Sequence, residues 1–304
     1  MERQRLPVIA SLMAIGSGIV WSFGAVLKRQ SEHVDAFQYL IWRSIGIIVV
    51  IEILSAFKGQ PFPTVRAWRS GRWMILANLG LFLASLAFVY AVDTTTAANA
   101  AFLGSLTPLV AVVFTRFLGE KLSRSTIIAI AVGIVGLVLT VFGDLAAGNM
   151  LGNASALLAS VGFAIYTISL RSSPTRDWSP VLPGYGALMI LVCGIVTVAR
   201  DRPLIPAGPD IARGLFHGAV IIVVGTLMFN TAIKHVPAVP MTVFAQAEMV
   251  FVPIWCFLIL DETPTPLAML GGAIIFSAVV GKALYDTRGD HPPELITAPD
   301  VPLL

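Results

Sequence analysis

Residues 72–92 of this chain, RWMILANLGLFLASLAFVYAV, carry a single charge, on Arg72 at the start of the run. A helix needs about 20 consecutive, mostly apolar residues to cross the hydrocarbon core of a bilayer. The run lacks the apolar–polar alternation of a barrel strand, and this favours a membrane-spanning helix. Similar runs recur along the chain, and we predict ten spans at residues 7–27, 37–57, 72–92, 97–117, 125–143, 151–170, 181–199, 212–233, 240–260 and 266–285.

The composition indicates a chain surrounded mostly by lipid. Apolar residues make up 57% of the 304 positions, charged residues make up 12%, and the mean hydropathy is +0.85. A soluble domain has about a quarter of its residues charged. In lipid, only helices and closed barrels satisfy every backbone hydrogen-bonding group. The sequence therefore predicts an all-α integral membrane protein of about ten transmembrane helices.

The positive charges are unevenly distributed between the two sides of the predicted spans. Fourteen of the 20 Lys and Arg residues fall on the side that holds the N-terminus, and six fall on the other. The positive-inside rule then places both termini in the cytoplasm. We predict that the spans lie in the cell inner (plasma) membrane. The first run has no A-x-A-like cleavage site, which favours a retained helix over the competing signal peptide. Residues 287–304 are polar and rich in proline, and we predict a disordered cytoplasmic tail.

An internal repeat divides the spans into two halves. A shift of 142 residues places Trp21 on Phe163 and Glu120 on Glu262. Each half holds five spans, an odd number, so the second half must be inverted in the membrane relative to the first. Inverted repeats are typical of secondary transporters, which bind substrate near the midplane between the halves. The predicted repeats are residues 1–145 and 146–286.

Several short motifs of the chain match the pattern of a known family. They are Trp21-Ser-Phe-Gly24, Arg43, Pro108 ahead of Gly119-Glu120, Ala247-Glu-Met-Val-Phe251 and Asp261-Glu262. Over about residues 8–285 the chain resembles the EamA-type transporters of the drug/metabolite transporter superfamily. The resemblance implies ten helices, cytoplasmic termini and the export of amino acids or related metabolites.

Two positions depart from the pattern of that family. Met249 stands where the family usually has proline, with Pro253 four residues later, and Asp261 replaces the usual glycine. We therefore expect the helix break in the ninth span to lie about one turn later than the family pattern places it.

Glu248 is the first candidate functional residue. It lies inside the ninth predicted span, where a carboxylate costs a few kcal/mol unless it is paired or protonated. It shares a helix face with Phe244, and the repeat places Asn99 and Phe102 on the matching face of the fourth span. We predict that both faces line one cavity. Our hypothesis is that Glu248 couples transport to protons or binds a substrate ammonium group, and a structural carboxylate is the alternative.

Trp21, Phe163 and Arg43 are the next candidates. The two aromatic residues are predicted to form opposite walls of the cavity and to stack on a planar or cationic ligand, with helix packing alone as the alternative. Arg43 lies early in the second span. It either anchors that helix at the headgroups, which is the favoured interpretation, or binds a substrate carboxylate with its guanidinium.

Uncharged polar side chains inside the spans also need partners. Asn78, Asn99 and Asn230 are predicted to face either a neighbouring helix or the substrate cavity, and the same holds for Thr226 and Gln246. Spans 1, 3, 4, 6, 8 and 9 are expected to supply the cavity wall. Small residues at helical spacing on the fifth and tenth spans leave open internal packing or a homodimer seam.

These features favour a secondary transporter that rocks one half against the other to expose its site to each side in turn. The four histidines are widely separated and give no metal-binding spacing, and no Gly-x-Ser-x-Gly motif occurs, so an intramembrane enzyme has little support. A lipid-headgroup flippase and a carrier of nucleotide-derived metabolites are the alternatives. We expect a small-molecule substrate and a lipid bilayer as partners, no cofactor, no metal and no nucleic acid.

Overall fold

The computed structural model describes residues 2–60, 62–117, 124–144, 150–173, 175–206, 208–236, 241, 244 and 246–288. Its described helices are α1 (Glu2–Arg29), α2 (Ala36–Phe57), α3 (Pro63–Arg69), α4 (Arg72–Thr94), α5 (Ala97–Gly104), α6 (Thr107–Phe117), α7 (Arg124–Asp144), α8 (Met150–Arg171), α9 (Val181–Ala199), α10 (Gly208–Phe216), a π-helix (His217–Ile222), α11 (Val223–Ala232), α12 (Ala247–Leu260) and α13 (Pro266–Arg288).

Within the described residues, ten apolar helical segments fall in the ten predicted spans. Six are long and apolar enough to cross a membrane: Ile9–Arg29, Ala36–Phe57, Arg72–Thr94, Met150–Arg171, Val181–Ala199 and Gly208–Ala232. Four are shorter: Ala97–Ala111, Ile127–Phe142, Ala247–Leu260 and Pro266–Lys282. The prediction of an all-α membrane protein of about ten spans is confirmed. Of the predicted C-terminal tail, residues 289–304 lie outside the described part of the chain.

We number the spans in chain order. Helices α1, α2 and α4 are the first three, α5 with α6 is the fourth, and α7, α8 and α9 are the fifth to seventh. The eighth runs from α10 through the π-helix to α11, α12 ends the ninth, and α13 is the tenth. The short helix α3, between the second and third spans, was not predicted.

Two spans are interrupted at corresponding places. In the fourth, α5 ends at Gly104 and α6 begins at Thr107, with Ser105 between them. In the ninth, Gln246 is the residue before the start of α12. The 142-residue shift of the repeat places Ser105 on Ala247, the first residue of α12, so the interruption of the fourth span and the start of α12 correspond in the repeat. Discontinuous spans of this kind are where many secondary transporters build their substrate sites.

The predicted place of the break in the ninth span is wrong. Helix α12 runs without interruption through Met249 and Pro253, and its first residue is Ala247. Proline inside a helix removes one backbone hydrogen bond. Membrane helices tolerate that loss where neighbouring groups satisfy the freed carbonyl.

The two halves of the sequence interdigitate in the fold. The third span packs on the sixth, the fifth on the tenth, the second on the seventh, and the first on the eighth and ninth. Facing glycines bring several of these pairs close together. A methyl group on Gly80 would meet the Gly162 carbonyl oxygen at 2.8 Å, and one on Gly136 would meet that of Gly271 at 2.7 Å. Small residues therefore set helix–helix distances here, and Gly136 and Gly271 do so between the fifth and tenth spans of one chain.

Candidate functional site

A cavity of about 190 Å³ lies among the spans, and most of its wall is carbon. Residues of spans 1, 3, 4, 6, 8 and 9 form nearly all of the wall, and these are the spans from which the sequence predicts a cavity. The second and seventh spans add one residue each, Arg43 and Tyr185. The wall includes Lys28 on the first span and Arg171 at the last residue of α8, and we call the two regions the Lys28 end and the Arg171 end.

Both interrupted spans line this cavity. Ser105 and Thr107 contribute from the fourth span, and Gln246 and Glu248 contribute from the ninth. The backbone N–H groups in the first turn of a helix have no partner within that helix. The helix start also carries partial positive charge. The beginnings of α6 and α12 therefore bring positive potential to the cavity wall.

Glu248 is the second residue of α12 and is half-buried in this wall. Among the residues that the structure describes, its carboxylate makes no hydrogen bond or ion pair. Gly18 fixes the backbone beside it, because a methyl group on Gly18 would meet the Glu248 nitrogen at 2.9 Å. The first span therefore passes directly over the start of α12, and the carboxylate is held at the cavity by packed backbone.

Arg43 is 3% exposed and lines the cavity, which differs from the headgroup anchor that the sequence favours. Its guanidinium donates a hydrogen bond to Ser85 of the third span, and its Nε has no hydrogen-bond partner. No acidic side chain of the described chain pairs with it. The reason for the difference is packing: the Arg43 backbone lies against Gly218 of the eighth span, which turns this face of α2 into the protein.

Trp21 and Phe163 lie in the cavity wall, on the same side of it. Their ring centroids are 5.8 Å apart in an edge-to-face arrangement. Phe229 of the eighth span completes the group, at 5.3 Å from Trp21 and 5.4 Å from Phe163. The prediction of two opposite aromatic walls is therefore wrong, because the three rings form one continuous surface. We call Trp21, Phe163 and Phe229 the aromatic wall.

The two ends of the cavity differ in their ion pairs. At the Lys28 end, the buried Lys28 ammonium pairs with Asp93 and donates to the Val34 carbonyl oxygen at 3.2 Å. Asp93 also accepts a hydrogen bond from Ala36 N–H at 3.0 Å. At the other end, Arg171 is half-buried and has no acidic partner within the described ranges. The cavity wall therefore carries more positive than negative charge, because Arg43 is unpaired as well.

A second ion pair lies beside the Lys28 end, at Arg29. Arg29 Nε lies 3.2 Å from Glu262 Oε2, and Arg29 also donates to the Thr95 carbonyl oxygen at 2.5 Å. Glu262 Oε1 accepts Ala97 N–H at 2.7 Å. Glu262, in the loop after the ninth span, therefore pairs with both a neighbouring base and a backbone N–H. Its repeat partner Glu120 lies outside the described residues.

The remaining predicted site residues lie away from the cavity. Asn78 donates to the Ala67 carbonyl oxygen at 3.0 Å, and Asn99 donates to that of Thr140 at 3.4 Å. Asn230 accepts a hydrogen bond from Tyr166 of the sixth span. Each of these amides makes a hydrogen bond to a neighbouring helix, which was one of the two roles predicted for them.

The two other predicted aromatic residues also pack between helices. Phe102 is buried with Met249, against Gly272 of the tenth span. Phe244 is half-buried against the main apolar core.

The sequence did not identify Lys28, Ser85, Arg171 or His217 as cavity residues. Helical spacing offered a signal for two of them. Lys28 follows Trp21 by seven residues and Arg171 follows Phe163 by eight, so each cation shares a face with an aromatic wall residue. Ser85 and His217 carried no comparable signal. Among the described residues, no group of three His, Cys, Asp or Glu side chains is placed to hold a metal ion.

Comparisons with known proteins identify a family, two relatives and a solved structure of the same fold. Residues 8–142 and 150–282 each match the family described as the EamA-like transporter family. The chain is 23% identical to the uncharacterized transporter YetK of Bacillus subtilis (strain 168), over 93% of this chain and 88% of that protein. It is 24% identical to the uncharacterized transporter sll1164 of Synechocystis sp., over 68% and 64%. A solved crystal structure matches with a TM-score of 0.67 at 18% identity, covering 92% of this chain and 99% of that one, and shows the same fold.

Proposed function

The chain belongs to the EamA-like transporter family, and on that premise we propose that it is a secondary carrier for small metabolites that bear a carboxylate, with amino acids and related compounds first among them. We propose export across the inner (plasma) membrane. The excess of Lys and Arg on the N-terminal side supports cytoplasmic termini. In that orientation the Lys28 end faces away from the cytoplasm and the Arg171 end faces towards it.

The observation that carries this proposal is the meeting of three groups in one cavity. Arg43, Glu248 and the aromatic wall line the same space, beside the interruptions of the fourth and ninth spans. Intramembrane charged residues that face a cavity mark substrate or ion pathways. Discontinuous helices at the interface of inverted repeats do the same.

Each group suits one part of an amino acid. The planar Arg43 guanidinium has a buried Nε without a partner, and a carboxylate is the anion that its fork geometry fits best. The start of α6 adds positive potential for the same anion. The Glu248 carboxylate, which has no hydrogen-bond or ion-pair partner among the described residues, provides a counter-charge for an ammonium group. The aromatic wall offers a flat apolar surface for a side chain.

The size of the cavity supports a small substrate. Pockets for drug-sized ligands measure about 300–1,000 Å³, whereas an engineered apolar cavity of about 150 Å³ is enough for benzene. At about 190 Å³, the cavity suits one ring with a few further atoms. A lipid headgroup with its chains or a nucleotide-derived metabolite needs more space, and these remain the alternative substrates of the proposal.

We propose alternating access as the mechanism. The two ion pairs at the Lys28 end close the cavity there, and transport requires them to part while the Arg171 end closes. Protonation of Glu248 is our hypothesis for the coupling step, because neutralising a carboxylate removes the cost of keeping its charge out of water. Transport by Glu248→Gln at the wild-type rate, with the same dependence on pH, would contradict this step.

The test is uptake of a labelled amino-acid panel into proteoliposomes that contain the full chain, with and without an imposed pH gradient. The proposal predicts saturable uptake of members with a carboxylate and an apolar side chain. Labelled phospholipid and nucleoside analogues run in parallel to test the alternatives. Uptake of those analogues alone, by folded protein, would overturn the amino-acid assignment.

A further inference from the structure

His217 is a buried imidazole in the cavity wall that the proposed mechanism does not use. It is 3% exposed, and its Nδ1 lies 2.7 Å from the hydroxyl oxygen of Tyr39 on the second span. Tyr39 is itself 1% exposed. Because Tyr39 belongs to the first half of the chain and His217 to the second, this hydrogen bond joins the two halves at the cavity.

The backbone around His217 departs from a regular α-helix. His217 is the first residue of the π-helical segment His217–Ile222, and π-helical turns inside longer helices are frequent at functional sites. The first span presents Gly24 at this point, and a methyl group on Gly24 would lie 2.5 Å from His217 Nε2. A larger residue at position 24 would displace the ring. The imidazole is therefore fixed in the cavity wall, with Nδ1 at hydrogen-bond distance from the Tyr39 hydroxyl and Nε2 beside the Gly24 backbone.

Charged and titratable groups approach His217 from several elements. On the first span, the Lys28 ammonium lies 5.7 Å from the centre of the Tyr39 ring and is paired with Asp93. On the second span, Arg43 lies one turn after Tyr39 and lines the same cavity. The remaining groups are Asp210 and Arg213 on the same span as His217, paired at 2.7 Å, His33 at 3.6 Å from Asp210, Tyr185 of the seventh span, and Glu248 and Arg171 elsewhere in the cavity wall.

We propose that His217 is a proton-binding residue of the transport cycle, which takes up a proton when the carboxylate of the substrate enters the cavity and releases it when the substrate leaves. The inference rests on the proposed function, since it needs an anionic group in the cavity. The proton comes from solution and adds to the ring nitrogen that lacks one. No other bond forms or breaks.

Electrostatics links the two events. Opposite charges attract, so an anion in the cavity stabilises a positive charge on His217. By reciprocity, the proton strengthens the binding of the anion to the same extent. The Tyr39 hydroxyl both donates and accepts, so its hydrogen bond to Nδ1 survives either protonation state of the ring. Tyr39 therefore acts as a positioning residue.

Proton uptake on ligand binding tests the inference directly. 3-Phenylpropionate, a carboxylate ligand with no ammonium group for Glu248 to bind, is added to the full chain in lipid nanodiscs at low buffer strength, and a pH-indicator dye reports the protons taken up. The measurement is made in the Glu248→Gln background, so that Glu248 does not contribute. We expect uptake in this variant and its loss in Glu248→Gln/His217→Gln. The matched control is His235→Gln, at an exposed histidine after α11 that does not line the cavity, and it should leave the uptake unchanged.

The outcomes separate this inference from the function on which it rests. Ligand binding with the same proton uptake whether or not His217 is present would overturn the role of His217 and leave the carrier intact. A lack of binding by folded wild-type protein would count against the proposed function itself. A thermal unfolding midpoint for each variant shows whether it is folded. Tyr39→Phe adds a further readout, because loss of the Nδ1 partner should change the pH at which uptake occurs.

Discussion

Arg29 and Glu262 form an ion pair that joins the two halves of the chain, with Arg29 Nε 3.2 Å from Glu262 Oε2. The same carboxylate accepts Ala97 N–H at 2.7 Å, so it holds the first, fourth and ninth spans together at the Lys28 end of the cavity. A carrier that opens this end must release the pair in every cycle. Release of the Arg29–Glu262 ion pair is therefore a step that the proposed motion requires.

Glu262→Gln should loosen this closure. Gln keeps an oxygen for Ala97 N–H and removes the charge that holds Arg29, so the Lys28 end should open more often. The readout is labelling of a cysteine at Ala25, a buried cavity residue, after Cys193 and Cys256 are replaced by alanine. A membrane-impermeant thiol reagent should react several-fold faster in the Glu262→Gln protein.

The control for this experiment is Glu52→Gln. Glu52 accepts a hydrogen bond from the Thr64 hydroxyl at 2.5 Å and does not line the cavity. It should leave the labelling rate unchanged. Equal rates in the Glu262→Gln protein and its parent would show that the pair does not control access.

Gly218→Ala should destabilise the fold. The added methyl group would overlap the Arg43 carbonyl oxygen, which is backbone and cannot rotate away. Overpacking of this kind costs at least about 1–3 kcal/mol. Gly194→Ala is the matched control, because nothing lies within 4 Å of its methyl group. It should be neutral or stabilising by up to about 1 kcal/mol through helix propensity. Thermal unfolding in detergent measures both, and equal midpoints would contradict the close packing of the second and eighth spans.

Asp93→Asn should lower the free energy of unfolding more than the removal of both charges of the Lys28–Asp93 pair does. Loss of the acid leaves the buried Lys28 ammonium without its counter-charge. Breaking a fully buried pair costs about 3–5 kcal/mol, and we expect less here because Asp93 is partly exposed. Asp93→Asn/Lys28→Gln should recover part of the loss in a double-mutant cycle, measured by thermal unfolding. Glu32→Gln, at an exposed acid before α2, is the control and should have no effect. Additive losses from the two single variants would mean that the pair is not coupled.

Trp21→Leu should weaken the binding of substrates with an aromatic side chain. Aromatic pairs contribute about 0.5–1.5 kcal/mol beyond their buried area, which corresponds to roughly a 2- to 10-fold loss of affinity. Trp73→Leu removes a half-buried indole that packs on the core without lining the cavity. The affinity of this variant for the same ligands should therefore stay unchanged. Ligand titration of both variants makes the comparison. Equal losses would assign the effect of Trp21 to general stability.

Hydrophobic runs were enough to predict the fold class and the ten spans, because lipid imposes one length and one type of element on every span. The seventh span shows this well. Pro183 and Gly184 interrupt its apolar start, yet α9 begins at Val181. Proline is tolerated in the first turn of a helix, where its missing N–H costs nothing.

The sequence could not predict how the helices pair. The repeat suggested two halves that rock as units, whereas the structure packs the third span on the sixth and the fifth on the tenth. Glycine contacts such as that of Gly80 with Gly162 decide this pairing, and a single sequence does not show which glycines face each other.

The candidate site was predictable in part. Trp21, Phe163, Arg43 and Glu248 stood out as large or charged residues inside spans, and all four line the cavity. The amides were harder to place, because an asparagine in hydrocarbon bonds equally well to a helix or to a substrate. Asn99, for example, donates to the Thr140 carbonyl oxygen instead of lining the cavity. The roles of the four residues in transport stay predictions.

The most direct test of the central claim, a carboxylate at Arg43 and an ammonium group at Glu248, is a binding comparison of L-phenylalanine with 3-phenylpropionate. The two ligands share the ring and the carboxylate and differ in the ammonium group. Affinities are measured for the wild type, Glu248→Gln, Arg43→Gln and the control Glu52→Gln. We predict that Glu248→Gln weakens L-phenylalanine alone, that Arg43→Gln weakens both ligands, and that Glu52→Gln weakens neither. Equal losses for both ligands in Glu248→Gln, or unchanged binding in Arg43→Gln, would contradict the account.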